Sequence, residues 1–127
     1  MTTYLLVFFG AGLGGAMRHG VNTGCARWCG LDFPWGTLSV NVLGSLAMGL
    51  IAGWLAFRAG EGWSQHARLF LTTGILGGFT TFSAYSLDAV LLWERGQSMA
   101  AAAYVLGSVV LSIAALACGL AIVRALP

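Results

Sequence analysis

Residues 72–86 read Thr72-Thr73-Gly74-Ile75-Leu76-Gly77-Gly78-Phe79-Thr80-Thr81-Phe82-Ser83-Ala84-Tyr85-Ser86. They lie inside an apolar run from about His66 to Trp93, which is long enough to cross a bilayer. The Gly-Gly pair weakens a helix there, since each Gly costs about 1 kcal/mol relative to Ala. Hydroxyl side chains cluster on both sides of it. Two readings stay open. One is a glycine kink whose Ser and Thr bond back to the preceding turn. The other is a discontinuous helix whose freed carbonyls meet an ion, which membrane depth allows only where protein or a cavity satisfies the backbone.

The rest of the chain supports a membrane setting. Of 127 residues, 58% are hydrophobic and 8% charged, whereas soluble domains carry roughly 25% charge. Charged and turn residues divide the chain into four spans. The first runs from about Tyr4 to Ala26. The second runs from about Trp35 to Phe57 and closes at Arg58, Gly60, Glu61 and Gly62. The third is the quoted run, and the fourth extends from about Ser98 to Val123. None shows the period-two alternation of a membrane strand, so all four are read as helices. They use nearly the whole chain and leave no room for a soluble catalytic domain. Met1 to Tyr4 carries no positive charge and the apolar pattern continues past a cleavable length, so the first segment is read as a mature span.

Charge also bears on orientation. Four spans place both termini on one side, with Arg58, Arg68 and Arg124; Arg27 and Arg95 fall on the other. Such a small bias hardly specifies an orientation. Either other signals decide, or the chain inserts both ways and forms an antiparallel homodimer. Six scattered Arg make no nucleic-acid patch. Cys25, Cys29 and Cys118 are read as small apolar packing, not a metal framework.

Small and polar residues form stripes. Gly10 and Gly14, then Ser45, Gly49 and Gly53, then Ala103 and Gly107, and Ala115 and Gly119 suit close helix approach. Trp28, Trp35, Trp54, Trp63 and Trp93 fit an interfacial belt. Thr37, Asn41 and Ser45 share one helical face, as do Tyr104, Ser108 and Ser112. Helix–helix glue explains such stripes, but a membrane-embedded Asn needs a partner or a pore. Two neutral stripes beside an interrupted span favour a pathway. Asp88 is placed toward a membrane face, at a vestibule or in a helix pair.

Three blocks carry a resemblance. Gly14-Gly15-Ala16-Met17-Arg18, Gly36-Thr37-Leu38-Ser39-Val40-Asn41 and Gly77-Gly78-Phe79-Thr80-Thr81-Phe82-Ser83 resemble the signature blocks of the Fluc/CrcB fluoride channels, across the whole chain. The resemblance implies one domain over residues 1–127. Its fold is an all-α membrane protein of four transmembrane helices with a broken third helix, assembled as an antiparallel, dual-topology homodimer. It implies passive fluoride export across the bacterial cytoplasmic (inner) membrane through two pores. It also implies a structural sodium ion on the dimer axis, held by backbone carbonyls of Gly77 and Thr80. Fluoride would meet Thr37 and Asn41 from span two and Tyr104, Ser108 and Ser112 from span four. The ring edges of Phe82 and Tyr85 would also face it, since an aromatic edge is its positive part. Arg18 would sit toward a vestibule and attract anions. The implied partners are fluoride, membrane lipid and a second copy of the chain. The family pattern has Phe where this chain has Tyr85. An added hydroxyl that crowds the path or holds the ion would make flow slower than in Tyr85→Phe. Phe79 is read as packing.

Rival classes meet obstacles. A small multidrug exporter needs an acid in span one, and this span has none. A haem anchor needs facing axial ligands at depth, but His19 and His66 sit near span ends. A passive scaffold would use the stripes only as glue. An enzyme would need an acid–base pair or activated nucleophile, and none is visible.

Overall fold

A computed structural model describes residues 1–59 and 64–127. Gly60, Glu61, Gly62 and Trp63, named above for a span end and the aromatic belt, lie outside the described residues. The described chain is all helical. Helix α1 covers Thr2–Cys29 and α2 covers Trp35–Phe57. The third arm starts with α3 at Gln65–Leu69, widens into a π-helical stretch at Phe70–Leu76 and tightens again as α4 at Gly77–Phe79. After Thr80 and Thr81 it resumes as α5, Phe82–Glu94. Helix α6 covers Ser98–Ala125. The second, third and fourth arms are long and apolar enough to span a membrane. Helix α1 has the length, with 28 residues, but carries Arg18, His19, Asn22 and Arg27 and falls outside that group.

Local chemistry sets these boundaries. Gly30 ends α1 at φ 80° and Gly96 turns the chain after α5 at φ 76°, a region open to Gly without a Cβ penalty. Ser64 and Thr81 cap α3 and α5, accepting from the N–H groups of Ala67 and Ala84 at 3.2 Å each, which satisfies an otherwise orphaned donor.

The Gly-Gly pair does not break the third arm. Gly77 is helical at φ −63°, ψ −37°. The chain leaves the helix at Thr80 (ψ 157°) and Thr81 (φ −153°, ψ 122°). The glycines serve close approach instead. A Cβ on Gly78 would lie 2.7 Å from the Ala11 Cα, and one on Gly10 would lie 2.8 Å from the Gly74 Cα. A Cβ on Gly14 would strike the Ile75 carbonyl and the Phe79 N–H. Helix α1 therefore lies backbone-to-backbone against the third arm.

The second glycine stripe brings α2 onto α6. A Cβ on Gly49 would collide with the Leu116 carbonyl, and one on Gly119 would lie 2.6 Å from the Leu46 carbonyl. These pairings accord with small-residue packing, which replaces hydrophobic driving force between helices in lipid. Gly107 meets nothing within 4 Å, so the Ala103/Gly107 stripe lies unpaired within one chain. A smaller cluster of Tyr85, Leu92, Ala101 and Tyr104 joins α5 to α6.

Gly14→Ala should destabilise the fold by about 1–3 kcal/mol through overpacking. Gly24→Ala, with open space around it, should be neutral or gain helix propensity. Thermal unfolding in detergent checks this: the midpoint should fall only for Gly14→Ala, and equal midpoints would contradict the packing described.

Candidate functional site

At the interruption, α2 takes over the role of the missing helical bonds. The Asn41 Nδ2 donates to the Thr81 carbonyl at 3.0 Å, and the Thr81 N–H donates to Asn41 Oδ1 at 2.9 Å. One side-chain amide thus pairs both polar groups of an extended residue, as a neighbouring strand would. In a membrane those groups have no water to turn to. The Asn amide carries two N–H donors, so one remains after this pairing.

Beside this pair is a cavity of about 320 Å³, lined by Asn41, Ser45, Thr81, Phe82, Tyr85, Ser108 and Ser112 among others. Five of the seven expected pathway residues therefore come together: Asn41, Phe82, Tyr85, Ser108 and Ser112. Ser108 is 4% exposed, and its hydroxyl oxygen is buried without a hydrogen-bond partner. An unmade bond at a buried polar atom costs about 1–3 kcal/mol, so the position calls for an occupant. Phe82 stands out on the rim, 77% exposed.

Thr37 and Tyr104 lie elsewhere. Thr37 lines a second cavity of about 210 Å³ with Asn22, Asp32, Asp88 and Arg95. Tyr104 is almost wholly buried and lies between the two cavities. Its ring is 5.3 Å from that of Tyr85, which lines the first cavity. Its hydroxyl donates to Asp88 Oδ2 at 3.2 Å, which lines the second. Asp88 therefore pairs α5 with α6, as the helix-pair reading expected.

The Tyr85 hydroxyl is also committed. It donates to the Val105 carbonyl of α6 at 3.0 Å. This removes the reason given for slower flow: a hydroxyl held by a backbone carbonyl neither swings into the cavity nor offers its proton to an anion. What Tyr85 leaves facing the cavity is ring.

Arg18, expected toward a vestibule, reaches the interruption. Its Nη1 donates to the Thr80 carbonyl at 3.4 Å. The other expected sodium ligand, the Gly77 carbonyl, would ordinarily accept the N–H of Thr81, but that N–H is taken by Asn41. Gly77 is exposed. Carbonyl oxygens are the ligand type that a hard cation prefers, but the Arg18 guanidinium already stands on the Thr80 carbonyl.

Ser45, placed by spacing on the Thr37/Asn41 face, lines the first cavity although it was not expected in the pathway. Sequence reasoning missed two contributors. Thr81 contributes through its backbone, which leaves no side-chain signature. Asn22 has a buried Oδ1 without a partner, packed so closely that a Cβ on Gly36 would lie 2.5 Å from it.

The chain is similar to known proteins over nearly all of its length. Residues 5–120 match the family described as CrcB-like protein, Camphor Resistance (CrcB). A protein of Rhodopseudomonas palustris (strain BisB5) named fluoride-specific ion channel FluC is 62% identical over 98% of both chains. One of Methylobacterium nodulans with the same name is 60% identical, again over 98% of both. A Mesorhizobium japonicum protein of that name is 50% identical over the full length of both.

Asn41→Ala should cost about 1–3 kcal/mol for each Thr81 group left unpaired. Detergent unfolding midpoints should fall for Asn41→Ala; an Ala variant as stable as wild type contradicts the pairing.

Proposed function

Because the chain belongs to the CrcB family, a family of multi-pass membrane proteins that are channels and not enzymes, we propose that it is a fluoride-selective channel. It lets cytoplasmic fluoride leave by passive electrodiffusion across the bacterial inner membrane. The observation that carries this reading is the buried, unpartnered Ser108 hydroxyl in a cavity shared with Asn41 and Ser112. The relatives' names supply the identity of the anion.

The chemistry suits fluoride. A small, strongly hydrated anion enters only where donors replace its water shell. The first cavity offers the Ser108 and Ser112 hydroxyls, the second N–H of Asn41, and the rings of Phe82 and Tyr85. All are neutral. A fixed cation would hold the ion too tightly, whereas conduction needs sites weak enough to leave. The tyrosine pair then leads to the second cavity, where Thr37 offers another hydroxyl.

The working unit is an antiparallel homodimer with two pores. The near-balanced Arg count supports insertion in both senses, and the exposed Phe82 ring supports completion of the cavity rim by a second copy. The Gly77 and Thr80 carbonyls of both copies would hold a sodium ion on the axis, as a structural link between the two interruptions. A proton-coupled drug exporter fits less well, because α1 carries no acid.

The purified protein in liposomes should release fluoride, followed with a fluoride electrode, and retain chloride. Ser108→Ala should slow release about tenfold, by losing a hydrogen bond to a charged ion, with no loss of thermal stability because that hydroxyl has no protein partner. Release by Ser108→Ala at the wild-type rate would sink the assignment of this cavity to the path.

A further inference from the structure

The end of the chain remote from the tyrosine pair carries a feature that ion conduction does not use. An apolar groove of about 310 Å³ runs between α2, the π-helical stretch and α6, lined by Leu50, Ile51, Trp54, Leu71, Ile122 and Leu126 among others. Beside it, Gly53 lets α2 approach Val123 and Leu120 closely. The volume falls within the range of about 300–1,000 Å³ usual for small-ligand sites. Trp54 is half-exposed on its wall, at the depth where indoles meet headgroups.

Two guanidinium groups stand at the same end. Arg58, just past α2, donates through Nη2 to the Leu126 carbonyl, and Leu126 is itself a groove residue. Arg124, in the last turn of α6, lies over the Phe57 ring with Cζ 4.9 Å from the centroid. These contacts hold the side chains in place and leave most of their five N–H donors free. Neither arginine has a carboxylate partner among the described residues. Asp32 and Asp88 line the cavity at the other end of α2.

We propose that this groove binds an anionic phospholipid, one acyl chain lying along Trp54 and Ile122 and the headgroup phosphate meeting Arg58 and Arg124. A groove without charge at its end would take any lipid. Forked guanidinium donors match phosphate oxygens and add selectivity for anionic headgroups. The site stands on this end of the chain alone and does not depend on the fluoride reading.

Trp54 provides the readout. The full-length protein is reconstituted with phosphatidylglycerol or phosphatidylcholine brominated on the acyl chains. The Trp54→Phe variant supplies the background from the other tryptophans. Brominated phosphatidylglycerol should quench Trp54 at lower mole fraction than brominated phosphatidylcholine. The preference should weaken about fivefold for each arginine removed in Arg58→Gln and Arg124→Gln. Arg58→Lys should retain part of it, which separates lost charge from lost fold. Equal quenching by the two lipids would overturn the proposal. So would quenching by neither, which would mean that a second copy of the chain covers the groove.

Discussion

A backbone that leaves the helix inside a membrane must find partners for its N–H and C=O groups within the protein, and here one side chain supplies both. Asn41 pairs the two polar groups of Thr81, so the third arm can leave and resume its helix without an unsatisfied extended residue. The same pairing draws the Thr81 N–H away from Gly77 and frees a carbonyl. It fixes α2 at the start of α5, where the Phe82 ring begins. It also leaves one Asn41 N–H toward the first cavity. The interruption, the freed carbonyl and the donor in the cavity are consequences of one amide.

The remaining architecture keeps that amide in register. Gly10, Gly14, Gly74 and Gly78 let α1 lie directly on the third arm, and Gly49 and Gly119 do the same for α2 and α6. Because backbone meets backbone, there is little freedom for one helix to slide on its neighbour. The tyrosines then fasten α5 to α6: Tyr85 to the Val105 carbonyl and Tyr104 to Asp88. Their hydroxyls are used in fastening, which leaves the Tyr85 ring and the Ser108 hydroxyl at the first cavity. A chain with 8% charged residues thus lines that cavity with hydroxyls, an amide and rings, none carrying a fixed charge.

Much of this was legible in the residues, and the parts that were not share a cause. Helical arms follow from apolar length, and small-residue stripes follow from spacing along one helix. Ser108, Ser112 and Asn41 were found because i+4 periodicity is local. The cause of the interruption was misread, since the Gly-Gly pair is a local signal and the Asn41–Thr81 pairing joins residues forty positions apart. Arg18 was expected toward a vestibule, and its contact with Thr80 joins residues sixty-two positions apart. Tyr104 looked equivalent to Ser108 on one face. Only the packing of Asp88 and Tyr85 around it separates a fastening hydroxyl from a free one.

Passive flow through neutral donors is tested most directly by the voltage at which current reverses. With the protein in a planar bilayer and unequal fluoride on the two sides, the reversal voltage should follow the fluoride gradient, about 59 mV for each tenfold ratio. A pH difference imposed across the bilayer should leave it in place. A reversal voltage that moves with the pH difference would mean that protons are coupled to transport, and would contradict a channel built from uncharged donors.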